Sequence, residues 1–283
     1  MMEKNAGRTP MNRKLLFLDL DGTLLNDSKD ITPGNREALA RALGSGHRVV
    51  ITTGRPLSSG RIQSELLGLT GPGCYLIACN GGVVFDSFQK QILFQRPLPR
   101  DTALEILRLC DAHGIHAQTY EDAGVLVEPH CEDKELRYYC TVNRIGYRVL
   151  ERFDTELNLD PPKVLCIHLT DHEALETLAQ DIRARLGDRA DCFFSSRQFL
   201  EIVPKGVNKG SAVVQMCRRL GVDIADAIAV GDAQNDLPMI RAAGLGVCMA
   251  NGEAQVKAAA DYITTRDNNH DGVAEVVEKF MTD

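Results

Sequence analysis

The sequence predicts an α/β protein in which a doubly wound, Rossmann-like parallel sheet is interrupted by an inserted α+β domain. Apolar strand-like runs alternate with helical segments near both ends of the chain, and repeated βα units favour a parallel sheet with helices on both faces. Between about residues 86 and 196 the pattern changes to paired strands joined by short turns, which indicates an antiparallel sheet with helices on one face.

The first half of the predicted core contains three strands. KLLFLDL (14–20) is an almost continuous apolar run, which is typical of a strand buried on both faces. HRVVITTG (47–54) and CYLIACNGG (74–82) are predicted to be the next two strands. A helix at 33–43 begins with proline, which is favoured in the first helical turn, and a second helix is predicted at 55–68.

The second half of the predicted core repeats this alternation. Its strands are expected at AIAVGD (227–232) and GVCMA (246–250). The neighbouring helices are expected over the following segments: KGSAVVQMCRRLG (209–221), DLPMIRAAG (236–244), EAQVKAAAD (253–261) and DGVAEVVEKFM (271–281). Both halves therefore contribute βα units to one sheet.

The insert is predicted to contain a strand, a helix, a strand pair, a helix, a strand, a helix and a final strand pair. The turn in its first strand pair is TYEDAG (119–124), which is typical of a hairpin. In chain order the segments are QILFQRPL (91–98), DTALEILRLCDAHG (101–114), HAQTY (116–120), GVLVEP (124–129), CEDKELRYYCTVN (131–143), KVLCIHLT (163–170), DHEALETLAQDIRARLG (171–187), CFFSS (192–196) and FLEIVP (199–204).

The chain is expected to cross between core and insert twice, near 84–90 and near 197–206. Composition gives no sharper boundary, because neither crossing is marked by a low-complexity linker. The predicted division is a core domain at 1–86, with a loose tail at 1–13, an inserted domain at 87–199 and the rest of the core domain at 200–283.

Composition and charge limit the classes of partner. The 283-residue chain has a net charge of −7, which argues against nucleic acid as a main partner because phosphate contacts need a basic surface. We expect no membrane span, because no apolar run reaches about 18 residues, and the N-terminus lacks an apolar signal region. The nine cysteines favour reduced thiols in a cytoplasmic protein, with a disulfide framework or a zinc site as the lesser alternative. The sequence does not indicate an oligomeric state.

Polar side chains follow four of the predicted core strands. Asp19 and Asp21 end the first strand. Thr53 and Asn80 follow the next two, and Asp232 follows a strand of the second half. Ligands bind at the carboxyl ends of strands in a doubly wound sheet, so these side chains are expected to converge. Carboxylates this close repel one another unless a divalent cation lies among them, and carboxylate oxygens with waters suit Mg²⁺.

Lys209 opens a predicted helix whose N-terminus is expected to point at the same edge of the sheet. A divalent metal, a lysine, a threonine hydroxyl and glycine amides together suit phosphoryl transfer to and from a phosphate dianion. No second group of cysteines or histidines has metal-ligand spacing. Five histidines are accordingly expected to be surface or packing residues: His113, His116, His130, His168 and His270.

Four short motifs resemble those of the haloacid dehalogenase superfamily of phosphohydrolases, and their order along the chain fits that family. The motifs are DLDGTLL (19–25), TTGR (52–55), NKG (208–210) and GDAQND (231–236). The large insert between the second and third motifs, together with LEIVPKGVNKG (200–210), resembles the Cof-type sugar-phosphatase subfamily with its α/β cap. The resemblance covers nearly the whole chain and implies a Mg²⁺-dependent hydrolase of small phosphomonoesters, in particular sugar phosphates.

The resemblance also implies separate roles for the two aspartates of the first motif. Asp19 corresponds to the nucleophile, which forms an aspartyl-phosphate and binds Mg²⁺. Asp21 corresponds to the general acid/base, and its backbone carbonyl is implied as a further metal ligand. Residues i and i+2 of a strand face the same side, so the side chain of Leu20 points into the core. Leu20 is nevertheless included among the phosphate-binding positions.

The other motifs imply the phosphate and metal contacts. Thr53 and the amide of Gly54 correspond to the groups that hold phosphate. Lys209 corresponds to the residue that stabilises the nucleophile and the transferring phosphoryl group. Asp232 matches a metal ligand, and Asn235 matches a phosphate contact.

Three further residues have less specific roles. Asp236 is implied to support the metal through water or to hold Lys209. Arg55 is a candidate substrate contact that also fits a domain interface. Asn80 is a second candidate substrate contact, or else a support for the glycine turn that follows it.

Two other functions stay open from the sequence, which names neither the substrate nor the cap residues that select it. A phosphomutase would need a second phosphate site in the cap. The cap offers basic side chains for such a site, namely Lys134, Arg137, Arg144, Arg148 and Arg152. The alternative of another class is a non-catalytic regulator that binds a phosphorylated metabolite, and the complete set of catalytic positions argues against it.

Overall fold

Residues 13–281 are described by the structure, a computed structural model, and they form an eight-stranded and a six-stranded sheet. The loose tail predicted at 1–13 lies outside this range except for Arg13. The strands within the described range are β1 (Leu15–Leu18), β2 (Arg48–Thr52), β3 (Cys74–Ala78), β4 (Val83–Asp86), β5 (Gln91–Gln95), β6 (His116–Glu121), β7 (Gly124–Val127), β8 (Tyr147–Val149), β9 (Val164–Ile167), β10 (Ala190–Ser196), β11 (Phe199–Pro204), β12 (Ala227–Gly231), β13 (Leu245–Cys248) and β14 (Tyr262–Ile263).

The helices alternate with these strands in both halves of the core, as predicted. Four α-helices, α3 to α6, lie in the insert, and α5 among them is a single short turn. Within the described range the α-helices are α1 (Pro33–Gly44), α2 (Leu57–Leu67), α3 (Arg100–His113), α4 (Lys134–Asn143), α5 (Phe153–Glu156), α6 (His172–Leu186), α7 (Lys209–Leu220), α8 (Leu237–Ala242), α9 (Ala254–Lys257) and α10 (Gly272–Phe280).

The larger sheet has the strand order β14-β13-β12-β1-β2-β3-β4-β5. Neighbours from β14 to β3 are parallel, and β4 and β5 add an antiparallel edge. The strand from the N-terminal motif, β1, therefore lies in the interior of the sheet, between strands from both halves of the chain. The predicted doubly wound α/β core is confirmed.

Helices cover both faces of this sheet, which explains the continuous apolar run in β1. Leu16 and Leu18 lie in one hydrophobic cluster, together with side chains of α1 and α10. Leu15 and Phe17 point to the other face and pack with side chains of α7 and α8. Alternate residues of a strand face opposite sides, so only a strand with two buried faces needs apolar residues at every position.

The smaller sheet has the order β10-β11-β9-β6-β7-β8 and forms the cap. Its pairs are antiparallel except for the parallel pair of β7 and β8. Helices α3 and α6 pack on one face of it. The other face is also covered, because Leu136 and Tyr139 of α4 pack against Leu165 and Ile167 of β9. The expectation of helices on one face was wrong, since β9 is apolar on both sides.

One strand that was assigned to the insert belongs to the core sheet. β5 pairs antiparallel with β4, and the two form a hairpin. Its turn is stabilised by Asp86, whose Oδ1 accepts hydrogen bonds from the N–H groups of Phe88 (3.0 Å) and Gln89 (2.8 Å). Asp side chains commonly stabilise such turns by bonding the backbone a few residues on. β4 itself was not predicted, nor were β8, α5 and β14.

The backbone hydrogen bonds mark where the chain passes between the two sheets. Arg96 N–H still bonds to Gly82 of the core (2.8 Å), whereas Leu98 N–H bonds to Pro161 of the insert (2.7 Å). On the return, Lys205 N–H bonds to Arg189 of the insert (3.1 Å) before Asn208 caps α7. We therefore propose boundaries at these points, in place of those predicted at 86/87 and 199/200.

All nine cysteines are free thiols, in agreement with the reduced state predicted for them. Cys110 and Cys166 lie with their sulfur atoms 3.2 Å apart in the core of the cap, as hydrogen-bonded thiols. Within residues 13–281 no helix is both long enough and apolar enough to cross a membrane.

The close packing of α7 on α8 gives a test of the core. A Cβ atom on Gly210 would lie 2.2 Å from the carbonyl oxygen of Pro238, so Gly210→Ala must push the two helices apart. We expect this substitution to lower the free energy of unfolding by about 1–3 kcal/mol, measured by urea denaturation. Gly44→Ala, at the end of α1, is the matched control because a Cβ there meets nothing within 4 Å. Equal effects of the two substitutions would contradict this account of the packing.

Candidate active site

The carboxyl ends of four core strands carry the predicted polar residues. Asp19 follows β1, and its N–H donates to the carbonyl oxygen of Val230 in β12 at 3.0 Å. Thr53 follows β2, and its N–H donates to Ile77 in β3 at 2.8 Å. These backbone bonds continue the parallel pairing past the strand ends. They hold the side chains at one edge of the sheet.

Lys209 lies at the centre of this edge. It is the first residue of α7, where a capping box formed by Asn208 and Ser211 fixes the helix start. Its ammonium donates to Oδ1 of Asp19 and to Oδ1 of Asp236, each at 2.5 Å, and its side chain is fully buried. Burial alone would lower the pKa of Lys209, but the two carboxylates raise it above the ordinary value. Lys209 is therefore a buried cation.

Asp236 is held from both of its carboxylate oxygens. Oδ1 accepts from Lys209, and Oδ2 accepts from the backbone N–H groups of Asp232 (2.9 Å) and Ala233 (3.0 Å). The preceding strand ends at Gly231, where a Cβ would lie 2.5 Å from the Asp236 carboxylate carbon. The turn between β12 and Asp236 thus requires glycine at position 231. Of the two roles implied for Asp236, the geometry matches the one in which it holds Lys209.

Three carboxylates form an acidic group beside Lys209. One oxygen each of Asp19, Asp232 and Asp236 lies within 4.8 Å of the others. Burial raises the pKa of Asp19 well above its usual value despite Lys209, with Asp236 and Asp232 adding to the effect. Burial and the charge of Asp236 raise the pKa of Asp232 to about 7. One ammonium does not balance three carboxylates, so the group fits a divalent cation with oxygen ligands.

The loop after β1 orients Asp232 toward this group. The hydroxyl of Thr23 donates to Oδ1 of Asp232 at 2.7 Å. Gly22 has a φ of +87°, and a Cβ there would lie 2.4 Å from Oδ2 of Asp232. Both the backbone conformation and the close approach require glycine at this position. Gly22 and Thr23 of the first motif therefore position the carboxylate of Asp232 in the fourth motif.

Asp21 lies apart from the three carboxylates, on the side of the cavity. Its carboxylate accepts from Arg55 Nε (3.0 Å), Arg55 Nη2 (2.9 Å) and Lys29 Nζ (2.8 Å). Burial would raise the pKa of Asp21, but the charges of Arg55 and Lys29 lower it below its usual value. Nη1 of Arg55 is buried without a hydrogen-bond partner among the described residues. The sequence had marked Arg55 as a candidate substrate contact or a domain-interface residue, and Lys29 was missed.

Thr53 and Gly54 form a turn beside Asp19 and line the same cavity. The Thr53 hydroxyl oxygen accepts from the N–H of Arg55 at 3.1 Å, which leaves its hydrogen free to donate. Asn235 lines the cavity from the opposite side, and its amide donates to Oδ1 of Asn80 at 3.2 Å. Asn80 is buried behind it, in the left-handed conformation (φ 54°).

The side chain of Leu20 is fully buried in the core, as the strand alternation predicted. Its carbonyl oxygen accepts from the N–H of Leu25 at 2.8 Å, which closes the loop that follows β1. A role for Leu20 in phosphate binding would therefore involve its backbone and not its side chain.

A cavity of about 260 Å³ opens over these residues and is closed on its far side by the cap. Sequence reasoning missed the cap residues, because no motif marks them and the side of α4 that faces the core depends on how the cap docks. The cap side chains that line the cavity are Tyr138, Tyr139, Val142, Asn143, Ser195, Ser196, Gln198, Phe199 and Glu201.

A buried lysine of the cap directly contacts the turn formed by Thr53 and Gly54. The ammonium of Lys163 donates to the carbonyl oxygen of Gly54 at 2.8 Å and to Oε2 of Glu201 at 2.7 Å. Oε1 of Glu201 accepts from the hydroxyl of Ser195 at 2.9 Å. Burial alone would lower the pKa of Lys163, but Glu201 raises it above its usual value. Cap and core are thus joined by a charged hydrogen bond at the cavity wall.

The basic cap residues considered for a second phosphate site lie elsewhere. Arg148 pairs with Glu121 at 2.8 Å, and Lys134 lies 3.6 Å from Glu135. Among the described residues that line the cavity, the cap contributes no lysine or arginine. The basic cap side chains considered for a second phosphate site are thus not among the described residues that line this cavity.

Comparisons with known proteins agree with this geometry. A profile of the family described as haloacid dehalogenase-like hydrolase matches residues 16–277. The chain is 32% identical over 273 residues to a putative phosphatase of Streptococcus pyogenes, covering 96% of this chain and 99% of that protein. It is 29% identical over 278 residues to a pyridoxal phosphate phosphatase of Escherichia coli, covering 96% and 100%.

A solved structure shares the whole architecture. A haloacid dehalogenase-like hydrolase from Bacteroides thetaiotaomicron superimposes with a TM-score of 0.86 at 32% identity. The match covers 94% of this chain and 99% of that one. The similarity therefore includes the cap as well as the core.

The contact between Arg55 and Asp21 gives a test of the site. Arg55→Met removes two hydrogen bonds from the Asp21 carboxylate and should lower kcat for an aryl phosphate by about 10- to 100-fold. It also removes the charge that lowers the pKa of Asp21, so the acidic limb of the pH–rate profile should move to higher pH. Lys29→Met should have a smaller effect, since the Lys29 side chain is 51% exposed. An unchanged pH profile for Arg55→Met would count against this arrangement.

Proposed function

The chain belongs to the haloacid dehalogenase-like hydrolases, and on that premise we propose that it is a Mg²⁺-dependent phosphatase of small phosphomonoesters that acts through an aspartyl-phosphate. The observation that carries the proposal is the buried contact of Lys209 with Asp19 and Asp236 at the floor of the cavity. Lys209 binds Oδ1 of Asp19, so Oδ2 does not take part in this contact. The Asp19 side chain lines the cavity. A nucleophilic carboxylate needs this combination of a fixed orientation and access to substrate.

In the proposed first step, an oxygen of Asp19 attacks the phosphorus atom of the substrate. The bond between phosphorus and the leaving oxygen breaks as the new one forms, and Asp21 donates its proton to that oxygen. In the second step Asp21 takes a proton from water, whose oxygen attacks the phosphorus. The bond between phosphorus and the Asp19 oxygen breaks, which releases the Asp19 carboxylate and inorganic phosphate. The position of Asp21 at the side of the cavity, apart from the three carboxylates, supports this division of roles.

The cation would be held by Asp19 and Asp232, with the backbone carbonyl of Asp21 as a further ligand. Asp236 would support the site indirectly, because both of its oxygens already accept hydrogen bonds. When bound, Mg²⁺ neutralises charge on the nucleophile and on the transferring phosphoryl group. The raised pKa values of Asp19 and Asp232 support a cation at this place.

The phosphate would be held from three directions. Thr53 offers its hydroxyl, Gly54 and Leu20 offer backbone N–H groups, and Asn235 offers its amide. Lys209 contributes positive charge from below, and its contact with Asp19 also orients the nucleophile. Asn80 would act through Asn235, and Arg55 through Asp21. Phosphoryl transfer depends on this kind of positioning and charge stabilisation more than on covalent chemistry by the protein.

For the leaving group we propose a sugar. Asn143, Ser195 and Gln198 give the cap wall hydroxyl and amide groups that suit sugar hydroxyls. A second candidate is a phosphorylated aromatic ring, because the rings of Tyr138 and Phe199 lie 6.3 Å apart at the same wall. The name of the Escherichia coli relative, a pyridoxal phosphate phosphatase, is consistent with that candidate.

The free thiols and the net charge of −7 support our proposal of a cytoplasmic enzyme with small-molecule substrates and without nucleic acid as a partner. The proposed phosphatase also requires a catalytic Asp19. This requirement separates it from a regulator that only binds a phosphorylated metabolite.

The proposal is tested by turnover of a substrate panel with and without metal. Sugar phosphates, nucleotides and pyridoxal phosphate should be compared by kcat/KM in Mg²⁺, and a sugar phosphate is expected to be the best substrate. With that substrate, activity should vanish after chelation and return with Mg²⁺. Ca²⁺ should restore it poorly, because its looser and higher coordination misplaces the nucleophile. Full activity after exhaustive chelation would refute the metal requirement, and no turnover of any phosphomonoester would refute the proposal.

Substitution of the two motif aspartates separates their roles. Asp19→Asn removes the attacking anion, so no phosphoenzyme should form. Asp21→Asn keeps the nucleophile, and an aryl phosphate has a leaving group that barely needs an acid in the first step. This variant should therefore accumulate an acid-stable, base-labile phosphoenzyme, seen as a mass increase and a burst of phenol. Phosphate on Asp21 or on a cap residue would show that the assigned roles are wrong.

A further inference from the structure

A second cavity, of about 440 Å³, lies in the cap, and none of its lining residues lines the active-site cavity. Its wall is rich in groups that ligate metals. Among the described residues that line it, none is a lysine or an arginine, so the carboxylates in it face no strong cation across the cavity. The lining residues are Asp111, Gly114, Ile115, His116, Glu128, His130, Cys131 and Asp133.

Three of these side chains come together at the inner end of the cavity. A nitrogen of His116, the sulfur of Cys131 and a carboxylate oxygen of Asp133 all lie within 4.8 Å of one another. The residues come from β6, from a short 3-10 turn (Pro129–Cys131) and from the N-cap of α4. His116 and Cys131 are buried, whereas Asp133 is about one-third exposed. The group is therefore anchored in the cap and reachable from solvent.

The hydrogen bonds of His116 orient one ring nitrogen toward the group. The amide nitrogen of Gln118 donates to the hydroxyl oxygen of Tyr120 at 2.7 Å, so its oxygen faces Nε2 of His116 at 3.2 Å. Nε2 accordingly carries a hydrogen. Nδ1 faces Oδ2 of Asp133 at 2.8 Å. A metal-bound histidine commonly has its other ring N–H fixed by an oxygen acceptor in this way.

The carboxylate of Asp133 is also held in a fixed orientation. Its Oδ1 accepts from the N–H of Leu136 at 2.9 Å and caps α4. This bond fixes the side chain and leaves Oδ2 directed at His116. A carboxylate and an imidazole nitrogen this close need a positive species between them, which is either a proton or a metal ion.

A second group of ligand-type residues lines the same cavity nearer to solvent. Atoms of Asp111, Glu128 and His130 lie within 4.8 Å of one another. Nε2 of His130 lies 2.9 Å from Oδ1 of Asp111, and Nδ1 lies 3.8 Å from Oε2 of Glu128. These residues add negative charge at the cavity mouth, which would attract a cation from solution.

We propose that His116, Cys131 and Asp133 form a zinc site in the cap, distinct from the Mg²⁺ site of the core. Imidazole nitrogen, thiolate sulfur and carboxylate oxygen are all ligands of Zn²⁺, and a mixed set of this kind favours Zn²⁺ over Mg²⁺. On binding, the Cys131 thiol and Nδ1 of His116 each lose a proton to solvent, and the sulfur, that nitrogen and the Asp133 carboxylate bond to the metal. The inference does not depend on the proposed phosphatase activity.

The metal would tie three elements together at the start of α4. The same helix carries Tyr138, Tyr139 and Asn143 to the wall of the active-site cavity. A zinc ion at its N-cap would therefore fix the helix from which part of that cavity wall is built.

The experiment uses Co²⁺ as a probe, with Mg²⁺ in excess and the full chain as purified. Thiolate ligation gives Co²⁺ a charge-transfer absorption in the near ultraviolet, and the three carboxylates of the active site provide no thiolate. The wild-type protein should bind one Co²⁺ with this absorption, and Zn²⁺ should displace it. Cys131→Ser should abolish the absorption. Asp133→Asn retains a capping residue but should weaken Zn²⁺ affinity by about tenfold or more.

Cys140→Ser is the matched control, because Cys140 lies on α4 and is not one of the three residues. It should leave the cobalt spectrum unchanged. Circular dichroism of the metal-free variants should confirm that they are folded. If Cys131→Ser does not fold, the loss of Zn²⁺ affinity in Asp133→Asn tests the proposal. Absence of the absorption in the wild-type protein would mean that a proton alone links His116 and Asp133. Its persistence in Cys131→Ser would place the metal on another thiol. Either result would overturn the proposal.

Discussion

The buried ammonium of Lys209 is the contact on which the rest of the core site depends. It joins the end of β1, the start of α7 and the turn before α8, because Asp19 and Asp236 both bind it at 2.5 Å. Removing one partner of a buried ion pair commonly costs about 3–5 kcal/mol, since the remaining charge is left uncompensated. The capping box of α7 and the absence of a side chain at Gly231 allow these groups to approach.

Around this fixed contact, the two aspartates of the first motif lie in different surroundings. Asp19 is buried with like charges, which raise its pKa, whereas Asp21 is held by Arg55 and Lys29, which lower its pKa. A cation beside Asp19 would favour the ionised form that a nucleophile needs, whereas the lowered pKa of Asp21 favours the form that takes a proton from water in the proposed second step. Two aspartates that are two residues apart in the sequence thus have opposite electrostatic surroundings.

The cap closes the far side of the cavity and makes direct contacts with the core. Lys163 of the cap donates a hydrogen bond to the carbonyl oxygen of Gly54, so the turn proposed to bind phosphate is in direct contact with the cap. Helix α4 has two functions in this arrangement. Its start carries Asp133, in the proposed zinc site, and its other end carries Asn143 at the cavity wall. Zinc binding at the proposed site would therefore be connected to the cavity wall through this helix.

The sequence by itself determined the core and the residues that meet in it. Two-sided burial of β1 requires a continuous apolar run, and parallel strands place their carboxyl ends at one edge, so Asp19, Asp21, Thr53 and Asp232 were assignable from pattern and motif. Tertiary structure decided the rest. β5 is short and half-exposed, so local pattern did not show which sheet it joins. The contacts of Arg55 with Asp21 and of Lys163 with Gly54, and the grouping of His116 with Cys131, join residues 15 to 109 positions apart. Such pairs have no periodicity along the chain, because they are set by how separate elements dock.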